Sequence, residues 1–464
     1  MTARLVVYVA GLLLTSLLAR HLGVRSRRIL LLAVSLAFYA SWGPWFLAVL
    51  VGSAVVNFAL GKALRRSPTS GRLWLGIAFN VALLGVFKYL PAIAQQISAE
   101  SELARIVLPV GMSFWTFQAL SYLFDLYREE ELDPTLPEFL LYMSFAPTVL
   151  SGPICRLPEI LPQLRERADL SRDDIHSAAQ RIWLGALMMA LAQLLGSGLT
   201  PNHGINAAFD STAPLAAPDV WLLAIGYGFQ LFFDFAGYSH IAIGAARLLG
   251  VRVQENFDRP YLSASPSVFW TRWHMSLSFW IRDYLFLPVA AMRRETWWRN
   301  GALLFSMIVF GVWHKGAPLF VIWGAYHGVL LVLHRLWQQL QRQFDFRWEG
   351  AAQTAVSWLV TFAAMCLGWT WFRAQGVTQA ARMFATVFTP GSYRSPVLPA
   401  ELYLLTAALV AGYFVCAALS ARRDKEQAVL SWLPLEVRYA CYAVALYLVV
   451  FRAAQPQAFI YSQF

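Results

Sequence analysis

Residues 301–338 read GALLFSMIVFGVWHKGAPLFVIWGAYHGVLLVLHRLWQ, and this stretch indicates what kind of fold the chain has. Apolar side chains fill both halves of it, and only the short segment from His314 to Pro318 interrupts them. A membrane hydrocarbon core about 30 Å thick needs roughly 20 apolar residues to cross it as a helix. The stretch therefore predicts two membrane-embedded helices with a break directly after His314.

Apolar runs of the same kind recur along the whole chain. Of its 464 residues, 58% are hydrophobic and only 14% are charged, and the 19 Trp, 32 Phe and 18 Tyr are more aromatic surface than a soluble core would bury. The candidate spans are 4–20, 29–41, 45–62, 74–95, 107–127, 137–152, 178–198, 217–248, 301–313, 318–338, 352–372, 401–419 and 433–451. We expect about eleven of them to be true spans and the rest to be re-entrant or broken helices. The sequence thus predicts an all-α polytopic membrane protein with a single membrane-embedded domain over residues 1–464.

The basic residues give the chain a formal net charge of +11. In a soluble protein this charge would suggest nucleic acid as a partner, but here the Arg and Lys residues cluster in short loops between apolar runs. Such clusters follow the positive-inside rule, so membrane lipids and not nucleic acid are the expected surroundings. The loops expected in the cytoplasm are Arg25–Arg28, Arg65–Arg66, Arg156–Arg172, Arg293–Arg299, Arg342–Arg347 and Arg422–Lys425. This topology predicts that the C-terminus lies on the extracytoplasmic face.

The segment 266–290 is too polar to span a membrane against lipid. Its polar side chains are Arg272, His274, Ser276, Ser278, Arg282 and Asp283, set among bulky apolar residues. Two structures are open for it: an amphipathic helix at the membrane interface, or a segment that dips inward and lines a cavity. We favour the cavity, because so many hydrogen-bonding groups lie only 40 residues before His314. Since ionisable side chains at membrane depth are costly, His274 is a candidate functional residue.

His314 ends an apolar run. A histidine in such a run can be a packing residue, but Lys315, Gly316 and Pro318 break the helix beside it. Irregular backbone at membrane depth is tolerated where it lines a cavity or is buried in protein, so we favour a functional role for His314. His327 lies 13 residues further on, and about 220° around an ideal helix. It should not share the face of His314 unless Pro318 redirects the chain, and helix packing is its favoured role.

Several motifs occur in one order between about residues 105 and 375. They are Leu108–Phe114 with Thr116–Gln118, Tyr122 and Asp125; Ser151–Ile154; Phe233–Ser239; Glu255–Phe257; Phe269–Tyr284; Gly311–His314; Trp323–Gly328; and Trp371–Ala374. Together they resemble the membrane-bound O-acyltransferases. Within that family the likeness is greatest to the bacterial branch that serves alginate O-acetylation, peptidoglycan O-acetylation and D-alanylation of teichoic acids.

The resemblance implies a bowl of tilted helices, with re-entrant or interfacial helices and a central tunnel from a cytoplasmic acyl donor towards the outer face. It also implies that His314 is the key histidine of the family and His274 its second. The further candidates for binding substrate or lining the tunnel are Asp234, Arg272, Ser276, Arg282, Asp283, Tyr238, Gln118 and Lys315. Two positions depart from the family pattern: Lys315 stands where relatives usually have glycine, and His240 where they usually have aspartate. Both departures bear on which acyl group and which acceptor are used.

The tail at 453–464 ends in FIYSQF and contains Phe459, Tyr461 and Phe464. This Phe-x-Tyr-x-x-Phe pattern resembles the terminal tyrosine motif of acyl-relay members of the group, in which the phenol carries the acyl group. On the residues alone, an aromatic anchor at the membrane interface is the alternative. We favour the relay, because a phenol with a pKa of about 10 loses its proton to a histidine far more easily than a sugar hydroxyl does.

These features predict an O-acyltransferase, and most simply an O-acetyltransferase of the bacterial inner membrane. His314 would act as general base on the attacking hydroxyl, with His274 and Asp234 orienting groups or donating to the developing oxyanion. The expected donor is acetyl-CoA, which enters from the basic cytoplasmic face. No bound cofactor is expected, and the four scattered cysteines indicate no metal site. The acyl group would leave on Tyr461 for an extracytoplasmic serine hydrolase-like partner, which places it on a cell-wall or secreted polysaccharide.

Other functions stay open at this point. A transporter or flippase of lipid-linked glycan would share the polytopic, basic architecture, but it should have inverted repeats, which the sequence does not display. D-alanyl transfer from a carrier protein would use the same kind of site with a different donor. An acyltransferase could also modify a lipid or a protein instead of a polysaccharide.

Overall fold

A computed structural model of the chain describes residues 2–98, 101–167, 170–211, 213–345 and 349–420, with a few positions between 434 and 443. In this part of the chain every regular element is a helix. The α-helices are α1 (Thr2–His21), α2 (Val24–Ala40), α3 (Pro44–Arg66), α4 (Ser70–Leu84), α5 (Leu90–Ile97), α6 (Met112–Tyr127), α7 (Leu136–Ser144), α8 (Leu157–Arg165), α9 (Arg172–Ser197), α10 (Ile205–Asp210), α11 (Ala217–Leu248), α12 (Pro266–Trp270), α13 (Met275–Ile281), α14 (Leu287–Ala291), α15 (Thr296–His314), α16 (Pro318–Gln343), α17 (Ala351–Arg373), α18 (Val377–Val387) and α19 (Ala400–Ser420). The all-α class predicted from the sequence is confirmed.

Seven helices in the described residues are long and apolar enough to cross a membrane. They are Pro44–Arg66, Ser70–Gln95, Arg172–Ser197, Ala217–Leu248, Pro318–Gln343, Ala351–Arg373 and Ala400–Leu419. The chain is therefore a multi-pass membrane protein. The predicted span at 137–152 is instead the nine-residue helix α7, which rises only about 14 Å. The last predicted span, 433–451, and the basic loop before it fall almost entirely outside the described residues.

The chain folds into two compact units. The first comprises Met1–Gly185 and Tyr238–Glu255, and the second comprises Ala186–Gly237 and Asn256–Phe464. Helix α11 contributes to both, because the boundary falls within it. The single domain over 1–464 stays a prediction from the sequence.

Close helix packing in the first unit depends on glycine. A side-chain carbon at Gly61 of α3 would lie 2.3 Å from the ring of Tyr122 on α6, and one at Gly76 of α4 would lie 2.5 Å from Leu123. Small residues let membrane helices approach each other closely, where direct packing holds them together. Helix α6, which carries the candidate residue Gln118, is thereby fixed against α3 and α4.

Arg27 joins two helix ends in the first unit. Its fully buried guanidinium donates hydrogen bonds to the carbonyls of Gln163 and Glu166 at the end of α8, both at 3.1 Å. It also donates to the carbonyls of Leu249 at 2.9 Å and Gly250 at 3.1 Å, directly after α11. The last carbonyls of a helix have no intrahelical partner, and a cation placed there satisfies them. This explains why one arginine of a predicted cytoplasmic cluster is buried.

Glu138 caps the first turn of the short helix α7. Its carboxylate accepts hydrogen bonds from the backbone N–H of Thr135 at 2.8 Å and from Arg165 at 2.9 Å, and it forms an ion pair with Arg28. Burial raises the pKa of the Glu138 carboxyl, but the hydrogen bonds from Arg165 and Thr135 outweigh it and lower the pKa to about 2. The pair of arginines thus ties α7 to α2 and α8 through one buried anion.

The stretch at 301–338 forms a tight helical hairpin in the second unit. Helix α15 ends at His314, and α16 begins at Pro318, whose ring suits the first turn of a helix. A side-chain carbon at Gly311 would lie 2.0 Å from the carbonyl oxygen of Phe320, and one at Gly324 would lie 2.3 Å from a carbonyl oxygen of α15. The two backbones are therefore in direct contact, and the predicted break after His314 is confirmed.

The polar segment 266–290 is broken into short pieces, α12, α13, a π-helical turn at Arg282–Phe286 and α14. The turn between α12 and α13 falls at His274, whose φ of 42° and ψ of 55° are left-handed. Such a backbone is uncommon outside glycine, and it persists only where the surroundings hold it in place. Segment 266–290 is therefore not a single amphipathic helix at the membrane interface. Its backbone turns at His274, which the sequence predicts to be a functional residue.

Candidate active site

The side chain of Asn256 holds His274. His274 is fully buried, and its Nδ1 lies 3.0 Å from Oδ1 of Asn256. The same Oδ1 accepts hydrogen bonds from the backbone N–H of Ser276 at 3.3 Å and from its hydroxyl at 2.9 Å. Because Oδ1 is an acceptor, Nδ1 of His274 must carry the hydrogen, which leaves the lone pair on Nε2. A neutral His274 in this tautomer can take up a proton only through Nε2.

The surroundings of this pair reinforce its geometry. The backbone N–H of Met275 donates to the carbonyl of Asn256 at 2.9 Å. The ring of Phe235 meets the imidazole of His274 edge to face, with 4.6 Å between the ring centroids. Asn256 is the site residue that sequence reasoning missed. Its motif, Glu255–Phe257, is one of those that carry the family resemblance, but an asparagine suggests no chemistry until its hydrogen-bond partner is known.

His314 is the last residue of α15 and is 2% exposed. Its ring packs against those of Phe310, Trp313, Trp323 and Phe372, at centroid distances between 4.7 and 5.3 Å. Aromatic rings on several sides exclude bulk water from the imidazole. A histidine in such a place can take a proton from a bound hydroxyl with little competition from solvent.

His327 belongs to the same aromatic cluster, although its helical angle argued against this. Its ring lies 4.9 Å from that of Trp323, which also contacts His314. The angle does not apply because Pro318 starts a second helix that runs back along α15, so the two histidines do not share one helical axis. His327 is fully buried, and a side-chain carbon at Gly368 would lie 2.7 Å from its Nε2. This tight fit agrees with the packing role expected of it.

Aromatic contacts join the two candidate catalytic histidines within the second unit. The ring of Trp273, the neighbour of His274, lies 4.7 Å from that of Trp369. Trp369 lies 5.9 Å from Phe372, which in turn lies 5.2 Å from His314. The structure thus brings both histidines to one cluster of rings, built by α12 and the turn that follows it, the α15–α16 hairpin and α17.

The other candidates of the second unit occupy different places. Asp234 is 7% exposed in α11, one residue before the phenylalanine that contacts His274. Arg282 and Asp283 form an ion pair with each other, with Nε and Oδ1 2.6 Å apart, so their charges offset. Arg272, which is half-buried, precedes Trp273 of the aromatic cluster, and Lys315 is exposed at the end of α15.

Three noted residues, Gln118, Tyr238 and His240, lie in the first unit. Gln118 is 4% exposed in α6, and Tyr238 is half-buried in α11. His240 is close enough to Arg181 and Glu255 to interact with the charges of both. Arg181 donates a hydrogen bond to Glu255 at 3.1 Å. The histidine that departs from the family pattern therefore lies beside an ion pair.

The C-terminal tail at 453–464 lies outside the described residues. This includes the three aromatic residues of its motif, Phe459, Tyr461 and Phe464. Both roles considered for Tyr461, acyl relay and membrane anchor, remain predictions from the sequence.

Comparison with known proteins places this site in a family. The profile of the membrane-bound O-acyltransferase (MBOAT) family matches residues 101–372. The chain belongs to the membrane-bound O-acyltransferase family. This confirms the family predicted from motifs between about residues 105 and 375, and both histidines fall within the match.

Curated relatives of this membrane-bound O-acyltransferase have related names. A protein named "Probable alginate O-acetylase AlgI" from Pseudomonas putida is 33% identical over 412 residues, which cover 85% of this chain and 82% of the relative. "Peptidoglycan O-acetyltransferase" from Helicobacter pylori is 30% identical over 390 residues, or 76% of this chain and 72% of the relative. "Teichoic acid D-alanyltransferase" from Streptococcus thermophilus is 36% identical over 247 residues, or 51% of this chain and 59% of the relative. The predicted enzyme class, an O-acyltransferase, is confirmed, and the transporter alternative is set aside.

Proposed function

We propose that the protein transfers an acetyl group from acetyl-CoA in the cytoplasm across the inner membrane. An extracytoplasmic serine hydrolase-like partner then uses this group to O-acetylate an exported or cell-wall polysaccharide. The proposal rests above all on two buried histidines in one aromatic cluster of a membrane-bound O-acyltransferase. Two of the three relatives above are named for O-acetyl transfer and match 85% and 76% of the chain, whereas the D-alanyltransferase matches 51%. Acetyl is therefore the favoured acyl group.

In the proposed reaction, His314 acts as general base. Its imidazole takes the proton of an attacking hydroxyl, and the oxygen forms a bond to the thioester carbonyl carbon. The tetrahedral intermediate then expels the coenzyme A thiolate, which receives the proton from the imidazolium. General base catalysis by a positioned histidine contributes roughly 10² to 10⁴-fold to a rate.

His274 has a positioning role in this scheme. With its Nδ1 hydrogen donated to Asn256, it presents an acceptor at Nε2. A neutral imidazole of this tautomer can accept a hydrogen bond from the attacking hydroxyl, but it cannot donate one from Nε2 to an oxyanion. This tautomer supports orientation of the nucleophile by His274, and stabilisation of the oxyanion would fall to other donors of the site, such as backbone N–H groups.

The attacking hydroxyl is proposed to be the phenol of Tyr461. Ester formation on Tyr461 would carry the acetyl group on the C-terminal tail to the outer face, where the partner accepts it. The driving force for the overall transfer comes from the thioester, which is a better acyl donor than the sugar ester of the final product; a phenyl ester of the tail would keep the acyl group activated on the way.

The test is alanine substitution of the histidines in purified protein, with release of the coenzyme A thiol from acetyl-CoA as the readout. We expect His314→Ala to lower the rate by about 10² to 10⁴-fold with normal insertion and yield. His274→Ala should be severe but leave some turnover, because a positioning group is lost. His327→Ala should have a smaller effect than either.

His21→Ala is the matched control, because His21 is exposed at the end of α1, in the other unit. It should turn over acetyl-CoA as the unmodified protein does. Wild-type turnover by a well-folded His314→Ala protein would overturn the assignment of the base. Equal losses of activity in His314→Ala and His327→Ala would show that the reaction does not take place on the His314 side of the aromatic cluster.

A further inference from the structure

A cavity of about 730 Å³ lies beyond the end of α17 in the second unit. One wall comes from residues between 211 and 220, and the other comes from α18 and the chain on either side of it. Cavities that bind ligands usually have volumes of about 300–1,000 Å³, so this one could hold a small molecule or a segment of a polymer. None of the described catalytic candidates lines it.

The cavity lies close to the aromatic cluster and on the expected outer side of the membrane. Gln375, which lines it, is three residues beyond Phe372, whose ring lies 5.2 Å from that of His314. Helix α17 follows the basic loop at 342–347, which the positive-inside rule assigns to the cytoplasm. Its 23 residues rise about 35 Å. The end of α17 and the cavity are therefore expected on the extracytoplasmic face, where an exported polysaccharide would be.

Hydrogen bonds hold the two walls of the cavity together. The side-chain amide of Gln375 donates to the carboxylate of Asp210 at 3.1 Å, and Arg373 donates to the same oxygen at 3.0 Å. The side chain of Gln379 donates to the carbonyl of Phe209 at 2.7 Å. These contacts fix α10 against α17 and α18, so the cavity is formed before a ligand arrives, which favours binding.

The hydroxyl groups of the α18 wall act as hydrogen-bond acceptors. That of Thr386 donates its own hydrogen to the carbonyl of Arg382 at 2.8 Å. That of Thr389 donates to the carbonyl of Ala385 at 3.0 Å, and that of Ser392 donates to the carbonyl of Thr389. Each hydroxyl keeps lone pairs for a further hydrogen bond but has no second hydrogen to give. A ligand that bonds to this wall must therefore donate, as the hydroxyl groups of a sugar do.

Arg382 adds one positive charge to the same wall. Its side chain is exposed, and it takes part in no ion pair among the residues that the structure describes. The described lining contains no acidic residue that would offset this charge. A guanidinium presents a planar set of N–H donors that matches a carboxylate. The wall thus combines acceptors for hydroxyl groups with a donor for a carboxylate, and a uronic acid carries both of these groups.

An exposed aromatic ring adjoins the cavity. Tyr393 follows Ser392 of the lining and is 56% exposed. Its hydroxyl donates to the carbonyl of Val387 at 3.0 Å and accepts from Nε1 of Trp221 at 3.3 Å, so the ring is held between α18 and α11. A rigid aromatic ring supplies contact area at a low cost in conformational entropy. The C–H face of a sugar ring can pack against it.

We propose that this cavity binds a segment of an acidic, uronate-type polysaccharide on the extracytoplasmic face. Arg382 would bind its carboxylate, and the three wall hydroxyls would accept hydrogen bonds from its hydroxyl groups. The inference rests on the proposed transfer to a polysaccharide; it adds the class of that polysaccharide and a site for it on this chain as well as on the partner. A polypeptide fits less well, because its backbone offers as many carbonyl acceptors as N–H donors, and the wall hydroxyls have no hydrogen left for a carbonyl.

Binding of short oligosaccharides to the protein in nanodiscs of neutral phosphatidylcholine tests the proposal. The probe is a tetrasaccharide of galacturonic acid, its methyl ester is the matched uncharged ligand, and affinities are measured by calorimetric titration. We expect Arg382→Gln to weaken binding of the acidic tetrasaccharide about tenfold or more and to change binding of the ester much less. Thr389→Val removes one acceptor and keeps the shape of the side chain, so it should weaken binding of both ligands. Both residues are exposed, so both variants should fold.

Arg394→Gln is the matched control, because Arg394 is an exposed arginine two residues after Ser392 that does not line the cavity. It should bind the acidic tetrasaccharide as the unmodified protein does. Equal losses in Arg394→Gln and Arg382→Gln would overturn the proposal, since the ligand would then respond only to the net charge of the surface. Unchanged affinity in both Arg382→Gln and Thr389→Val would overturn it as well.

A protein contact at this cavity would give a different result. The unmodified protein would then bind neither tetrasaccharide. Arg382→Gln would no longer co-purify with the extracytoplasmic serine hydrolase-like partner, whereas Arg394→Gln still would. This combination would show that the cavity is a docking site for the partner and that the proposed saccharide site is wrong.

The outcome is separable from that of the proposed function. His314→Ala should fail to release thiol from acetyl-CoA and yet bind the acidic tetrasaccharide normally, because His314 does not line the cavity. Normal turnover by His314→Ala would refute the general base and leave the saccharide site standing. Unchanged saccharide binding by the cavity variants would refute the saccharide site and leave the base standing.

Discussion

Asn256→Leu replaces a fully buried side chain by one of similar size. It removes Oδ1, the atom that accepts three hydrogen bonds. The donors are Nδ1 of His274 at 3.0 Å and the N–H and hydroxyl of Ser276 at 3.3 and 2.9 Å. The Ser276 hydroxyl can rotate to another acceptor, but the other two donors are fixed in place. Each buried donor left without an acceptor costs about 1–3 kcal/mol, so Asn256→Leu should lower the free energy of unfolding by about 2–6 kcal/mol.

The effect on catalysis follows from the tautomer of His274. Without the acceptor, its imidazole can rotate or carry its hydrogen on Nε2, and the orientation of the nucleophile is lost. Loss of the hydrogen-bond partner that orients a metal-bound histidine costs roughly 10 to 100-fold in activity, and we expect a loss of the same order here, because the partner likewise fixes the orientation of the ring. Asn256→Asp keeps an acceptor and adds a negative charge, which favours the protonated imidazole. That variant should stay folded and move the acid limb of its pH–rate profile to higher pH.

Both variants are measured in the same two assays, thermal unfolding followed by circular dichroism and release of coenzyme A thiol between pH 5 and 9. The rates are expressed per folded molecule, so that loss of stability does not count as loss of catalysis. If Asn256→Leu turns over at the wild-type rate and the Asn256→Asp profile superimposes on that of the unmodified protein, Asn256 only supports the fold and the argument about the tautomer fails.

Three further predictions concern other parts of the chain. Tyr461→Phe should abolish O-acylation of the exported acceptor and leave the protein stable, because it removes only the oxygen that would carry the acyl group. Mass spectrometry of the unmodified protein with a labelled donor should find the label on Tyr461. Full O-acylation by the variant would mean that the tail is only a membrane anchor. A reporter that is active only in the cytoplasm, fused after Phe464, should be silent, and its activity would invert the topology. Glu138→Gln should lower stability above pH 5 by at most roughly 3 kcal/mol, the equivalent of a pKa lowered from about 4.5 to about 2. A carboxyl group whose pKa is lowered on folding stabilises the fold at pH values above its unfolded pKa. In unfolding titrations, the difference in free energy of unfolding between Glu138→Gln and the unmodified protein should therefore vanish as the pH falls from about 4.5 to about 2. A constant difference would mean that the arginines contribute nothing through charge.

The features that the sequence predicted correctly are the ones encoded locally. Apolar runs identify membrane helices because burial in lipid depends on composition within about 20 residues. The break after His314 is likewise a local property of Gly316 and Pro318. The motifs around His274 and His314 place both residues in the membrane-bound O-acyltransferase family.

The features that it missed depend on contacts between distant segments. His327 joins the cluster around His314 because α16 folds back along α15; the sequence left this position open, since Pro318 could redirect the chain. Asn256 acquires a role only when the chain brings it to His274, 18 residues later. The length of α7 was overestimated because its apolar residues continue beyond Ser144 into irregular chain.

The glycines of the α15–α16 hairpin have a consequence for motion. With Gly311 and Gly324 in contact with the opposite backbone, the two helices leave no gap into which either could slide, and they should move as one rigid body. The rings on the hairpin, including Trp323, then keep their positions relative to His314. Phe372 lies on α17, outside the hairpin. Of the four rings named above that pack against His314, that of Phe372 is therefore the one that can change its position relative to the histidine without distorting the hairpin.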